Sequence, residues 1–167
     1  MAIRSTVLNK AKNAYRVTCR LRYSSGETHG AIDIATPIGT PLYAPFSGTI
    51  LGCHDGVHNN RPSEAIYSGK PSNWILLLCK IKTNYGGYQD ATIYFQHLSP
   101  GLKVKAGQKV KKGQRLGRTG NSGNSSGPHI HIGGQWVPRD GEPSVSQRYD
   151  HINDAKRRIW PPERFLG

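Results

Sequence analysis

Two short segments of this chain concentrate the side chains that metal binding and proton transfer require. One is His129-Ile-His131, the other Thr28-His29-Gly30-Ala31-Ile32-Asp33. Residues 128–133 read as a strand, in which alternate side chains share a face, so both imidazoles project one way while Ile130 and Ile132 turn to the core. Two stacked histidines are poor filling for a buried face and good material for a metal or proton-transfer site. An H-x3-D spacing is weak evidence alone. Gly30 argues against a helix there and lets the chain bend, so that His29 and Asp33 can meet one point. The two segments together offer a nitrogen, nitrogen and oxygen donor set. Three protein ligands plus water is the catalytic form of tetrahedral zinc.

Other residues carry weaker signals. Cys53-His54-Asp55-Gly56-Val57-His58 contains H-x3-H beside a thiol, readable as a second metal site or as exposed loop histidines. The loop is favoured because Gly56 opposes a helix. His151 falls outside every motif and is expected at the surface. Tyr43, Trp74, Tyr85, Tyr88 and Trp136 either line a substrate groove or pack across strands. The run Gly120–Gly127 lacks a following G-K-[ST], so it reads as a flexible groove wall and not as a phosphate loop. Cys19, Cys53 and Cys79 are an odd number with no C-x-x-C, which points to buried free thiols in strands.

The elements that must hold these residues are mostly strands. The chain has 167 residues with 20 Gly and 11 Pro, enough for one domain rich in turns and against a helical bundle. A basic N-terminal arm over 1–14 precedes a single domain over 15–167 with a C-terminal extension from 138. Alternation marks 15–21, a short apolar run follows at 31–34, and 42–51 reads as a strand interrupted by Pro45 and Gly48. Residues 54–73 read as a loop. Residues 74–82 and 91–98 form a hairpin around Asn84-Tyr-Gly-Gly87. Helical signal appears near 154–160, stopped by Pro161-Pro162. Two Gly-Gln steps six residues apart within 104–117 have the cadence of a compact barrel-like β motif. The fold class is mainly β and antiparallel, with short helical terminal extensions. No apolar run approaches the roughly 18 residues of a membrane span. The first twenty residues hold no apolar stretch of a secretory signal, so the chain is expected to be made in the cytoplasm and released by another route, or cut from a secreted protein.

Charge is the remaining global feature: 23 Lys and Arg against 10 Asp and Glu. Residues 91–139 contain no acid at all. A surface this basic draws polyanions.

Taken in order, His29 and Asp33, His97 in Gln96-His97-Leu98-Ser99, the 104–117 repeat, and Gly120–His131 resemble the lysostaphin-type zinc endopeptidases, the LytM family. The resemblance extends through Gly39-Thr-Pro-Leu-Tyr-Ala-Pro45 and Gly48-Thr-Ile50, covers about 15–137, and includes the closing Trp160-Pro-Pro-Glu-Arg-Phe-Leu166. It implies one Zn2+ per chain held by His29, Asp33 and His131, with His97 and His129 as the catalytic pair. No H-E-x-x-H is present, so the two imidazoles take the place of a glutamate base. It also implies hydrolysis of peptide bonds in bacterial peptidoglycan, by a monomer resembling a phage lysin or virion-associated lytic domain. The anionic polymers of the wall suit the basic surface. A non-catalytic wall-binding or regulatory protein on the same scaffold is the alternative. A sugar-uptake phosphotransfer domain would need two facing histidines and no Asp ligand, and nucleic-acid binding rests on charge alone; neither is expected.

Overall fold

The computed structural model describes residues 7–8, 15–60, 72–145, 152 and 154–162. Nine strands follow in chain order: β1 (Val17–Cys19), β2 (Ile32–Ala35), β3 (Pro41–Tyr43), β4 (Gly48–His54), β5 (Asn73–Lys82), β6 (Tyr88–Leu98), β7 (Lys109–Val110), β8 (Arg115–Arg118) and β9 (His129–Trp136). Seven form one sheet in the order β1-β2-β9-β6-β5-β4-β7, and β3 pairs with β8 in a second. All the pairings are antiparallel. The last strand is thus inserted at the centre, between β2 and β6.

Period-two alternation decides which side chains meet. Ile32, Ile34, Ile75, Phe95, Ile130 and Ile132 lie on one face, buried in the main core. On the opposite face one row of cross-strand neighbours runs Cys19, Asp33, His131, Gln96, Trp74, His54. Burying the first face against Leu42, Leu116, Val104 and Val110 clamps the strands and thereby fixes the second.

The 104–117 repeat folds as a repeat. Gly107 and Gly113 both have positive φ, 86° and 83°, which favours glycine. In each turn the Gln side chain closes the loop: Lys105 N–H donates to Gln108 Oε1 and Lys111 N–H to Gln114 Oε1. Strands β4, β7 and β8 are held in place by these turns.

Several expectations need correction. Residues 42–51 are not one interrupted strand: β3 ends at Tyr43, β4 begins at Gly48, and the two lie in different sheets. His54 belongs to the end of β4 and not to a loop, and Asn73 opens β5; residues 61–71 lie outside the described set. The stretch 154–160 is a turn with one bridge, Gln135 to Arg158, where a helix was expected. Among the described residues α-helical backbone occurs at Val7 and Ile152 and 3₁₀-helical backbone at Val145 and Pro162. The N-terminal arm is partly core: Val7 and Leu8 are fully buried and Leu8 bridges Leu42. His151 lies outside the described residues. No helix among those described is long and apolar enough to cross a membrane.

Candidate metal centre

His29 lies at the end of the segment joining β1 to β2, beside Gly30, which takes φ 71°, and Asp33 follows on β2. His131 stands opposite Asp33 on β9. His29 Nε2 lies 3.0 Å from His131 Nδ1 and 3.2 Å from Asp33 Oδ1, and His131 Nδ1 is 3.2 Å from the same oxygen. These three atoms form a small, nearly equilateral triangle. Ligands about 2.0–2.1 Å from a tetrahedral zinc stand about 3.3 Å apart, so the triangle fits one face of such a coordination shell.

The donor chemistry agrees. His29 Nδ1 is 2.7 Å from the Arg20 carbonyl oxygen, which can only accept, so the proton sits on Nδ1 and Nε2 keeps its lone pair. Asp33 Oδ1 is buried without an aligned hydrogen-bond donor. Burial alone would raise the Asp33 carboxyl, but His131 and then His29 beside it outweigh that and hold it well below the usual range. A carboxylate oxygen and an imidazole lone pair converging on one point are a donor set that fits a cation.

His129 and His97 complete the cluster. His129 projects from the same face of β9 as His131, its Nε2 3.7 Å from Asp33 Oδ1. Its Nδ1–H donates to the Gly127 carbonyl at 2.8 Å, with Ser125 Oγ 3.0 Å away, which leaves Nε2 as an acceptor. His97 donates from Nδ1 to the Ser122 carbonyl at 2.7 Å, with the same consequence. The two rings lie 4.6 Å apart. His97 reaches the site through a bulge: β5 steps from Trp74 to Asn73 while β6 steps from Gln96 to Leu98, and His97 between them has φ 63°. The extra residue turns the side chain towards the face that strict alternation would deny it.

The structure therefore brings together all five residues singled out in the sequence. The run Gly120–Gly127 is more than a flexible wall. Asn121, Ser122 and Ser125 are buried, Ser122 Oγ donates to the Leu98 carbonyl, and the loop's backbone sets the tautomers of His97 and His129. Cys19 was not anticipated at the site. Its Sγ lies with donor atoms of His29 and Asp33 within 4.8 Å of one another, and burial, then Asp33, raises its thiol pKa. Ten residues upstream of His29, it is placed there by the β1–β2 pairing. All three cysteines are free and in strands, but against expectation only Cys79 is buried, Cys19 and Cys53 being half-buried; burial pushes the Cys79 thiol up to about 12. His58 is exposed and His54 half-buried.

Burial, followed by His129, lowers His97 to about 4, against which the Ser122 carbonyl acts; His131 is also lowered by burial, with Asp33 opposing. The unfolded chain takes up a proton near pH 6.5, the folded chain only near 4, so folding stability falls as pH drops through that window. For the metal-free protein the loss attributable to His97 is expected to reach about 3 kcal/mol. Denaturant midpoints at pH 7 and 4.5 in the presence of chelator measure it. His97→Gln should flatten the difference; an unchanged pH dependence would show that other groups carry it.

A triangle of two imidazoles and a carboxylate, flanked by two imidazoles with acceptor nitrogens and set in an antiparallel sheet, defines a metal-dependent hydrolase. The model of Peptidase family M23 matches residues 27–153, and the chain belongs to that family. Its members are zinc metallopeptidases, and zinc is the cofactor. The chain is 37% identical over 106 residues to the peptidoglycan DD-endopeptidase ShyA of Vibrio cholerae, covering 62% of this chain and 19% of that protein. It is 34% identical over 108 residues to lysostaphin of Staphylococcus simulans, covering 65% and 18% respectively. The catalytic domain of the S. simulans enzyme superposes with a TM-score of 0.54 at 26% identity, over 78% of this chain and 86% of that one. The match thus spans about a fifth of the curated relatives' length.

Proposed function

We propose that this chain is a zinc-dependent endopeptidase that hydrolyses peptide cross-links or stem peptides of bacterial peptidoglycan, as a phage lysin or virion-associated lytic protein. The observation that carries the reading is the donor triangle of His29, Asp33 and His131 with the acceptor nitrogens of His97 and His129 beside it. Relatives named as peptidoglycan and glycyl-glycine endopeptidases support the substrate class.

His29 Nε2, Asp33 Oδ1 and His131 Nδ1 would hold the metal. Bound there, zinc would supply a Lewis acid for the scissile carbonyl and lower the pKa of the attacking water. His129 Nε2 and His97 Nε2 are left free to accept by the carbonyls that occupy their Nδ1 protons. One takes the water's proton, and the imidazolium so formed returns it to the leaving amine. The Ser122 and Gly127 carbonyls keep each ring from turning away. Asp33 remains an anion throughout and offsets the added positive charge.

Digestion of purified peptidoglycans of two chemotypes, one with oligoglycine bridges and one with direct cross-links, tests this. Mass spectrometry is expected to find new amino termini in one of them and none after chelation. Retention of the protein on walls without any released peptide would favour the non-catalytic binding alternative.

A further inference from the structure

The bulge that aims His97 is strained and needs a holder. His97 carries φ 63°, a left-handed backbone that a side chain keeps only where its surroundings impose it. The extra residue also puts β5 and β6 out of step at that point, so polar groups beside it need partners outside the ladder. Asn73 supplies them. It opens β5 opposite Leu98 and is fully buried. Asparagine is seldom buried unless its amide is hydrogen-bonded, and both ends of this one are. Nδ2 donates to the Leu98 carbonyl at 2.9 Å and to the Val57 carbonyl at 2.7 Å, and Oδ1 accepts from Val57 N–H at 2.9 Å. The side chain thus stands to Val57 as a peptide group stands to its partner in a sheet.

The main chain of Asn73 reaches a third segment. Its N–H donates to Ser122 Oγ at 3.1 Å, and that hydroxyl donates in turn to the Leu98 carbonyl at 2.6 Å. Asn73, Ser122 and Leu98 therefore close a buried ring of hydrogen bonds, and both segments that orient His97 pass through it. Leu98 follows His97 directly, so its carbonyl fixes one side of the bulge. Ser122 offers the carbonyl that takes the His97 Nδ1 proton at 2.7 Å. Asn73 lies on neither segment and ties each to the other. The Val57 end is braced as well, because Asp55 accepts from the N–H groups of Gly101 and Leu102, both at 2.9 Å.

We propose that Asn73 is a positioning residue for hydrolysis: acting through Leu98 and Ser122, it holds His97 in its bulge with Nδ1 on the Ser122 carbonyl and Nε2 free to accept a proton. The inference rests on the reading of His97 as a proton acceptor given above. The residue type follows from the task, since a carboxylate could accept from Val57 but donate to neither carbonyl, and an aliphatic side chain could do neither. None of these bonds involves His29, Asp33 or His131, so the metal site does not depend on them. A ring freed from this frame moves Nε2 relative to the substrate, and a misplacement of about 1 Å lowers a rate by on the order of 10²-fold.

The test uses the zinc-loaded full chain with isotope-labelled histidine, the His97 ring signals being identified by their loss in His97→Ala. Nuclear magnetic resonance of wild type is expected to show one His97 tautomer, with a slowly exchanging Nδ1 proton. Asn73→Ala and Ser122→Ala are each expected to show both tautomers and fast exchange of that proton. In cleavage of a soluble cross-link peptide, kcat should fall by about 10–10²-fold in each variant, with KM unchanged and zinc retained. Introduced into His97→Ala, the same substitutions should alter the residual rate by less than about twofold, because a residue acting through His97 has nothing left to position. A purely structural role would lower the rate by the same factor in both backgrounds. Ser122→Ala removes one hydroxyl and keeps the Ser122 carbonyl, so it carries the test if Asn73→Ala fails to fold. The wild-type tautomer persisting in the variants, or an equal loss with and without His97, would overturn the proposal. A wild type that cleaves no peptide would count against the endopeptidase reading, and the ring spectra, which need no turnover, would then decide whether Asn73 holds His97.

Discussion

With His97 replaced by alanine, the protein is expected to keep its zinc while kcat/KM for a wall peptide falls by about 10²–10⁴-fold. That corresponds to about 3–5 kcal/mol of transition-state stabilisation. The His97 ring is 6.2 Å from that of His131, centroid to centroid, and its Nδ1 is tied to the Ser122 carbonyl. It stands outside the donor triangle, so its loss removes a proton acceptor and leaves the three donors in place. Metal analysis of the purified variant, alongside peptide cleavage, checks both halves. His97→Gly is the informative companion. Glycine accepts the φ of 63° without the strain of about 1 kcal/mol that a side chain bears there. The glycine variant should be as inactive as the alanine one, because the missing group is the imidazole and not the bulge. Zinc lost from both variants would place His97 among the ligands.

Removing a corner of the triangle has the opposite signature. His131→Ala and Asp33→Ala are expected to lose zinc and to lose hydrolysis beyond the His97→Ala level, since the remaining two donors cannot hold a tetrahedral ion at ordinary concentrations. Because metal binds the folded state, saturation at about a thousandfold above Kd adds about 4 kcal/mol to wild-type stability. Chelation should therefore lower the melting temperature of wild type and His97→Ala and leave both triangle variants unmoved. A chelator shift that persisted in Asp33→Ala would mean that another donor takes the place of its carboxylate, and Cys19, beside Asp33 across the β1–β2 pair, is the one to examine.

The resemblance in the order of motifs singled out all five histidine and aspartate residues as candidates, and local chemistry accounts for part of that choice. H-x-H in a strand needs no tertiary knowledge to place both rings on one face, because the pleat does that. The Ile130 and Ile132 between and beyond them mark the buried side. The paired Gly-Gln steps likewise announced two turns of one design, since a glycine at positive φ and a glutamine reaching back over it are local facts. The strand limits were less legible. In residues 42–51 Pro45 and Gly48 marked an interruption, but that its two sides join different sheets is decided by partners that lie far away in the chain.

What alternation in the sequence determined was therefore the direction of individual side chains along each strand, and with it which ones face the core. Tertiary structure decided which of those side chains meet. Strand β9 is the last in the chain and lies between β2 and β6, which sets His131 against Asp33; no periodicity in 129–136 encodes that choice of neighbours. The aim of His97 comes from a bulge that exists only because β5 and β6 pair out of step by one residue, and the free nitrogens of His29, His97 and His129 depend on the carbonyls of Arg20, Ser122 and Gly127. Main-chain carbonyls are alike at every residue, so a sequence cannot say which one will stand beside a ring. Strand order and register are settled by burying one face of the whole sheet at once, and this long-range condition placed the donors 3.0–3.2 Å apart.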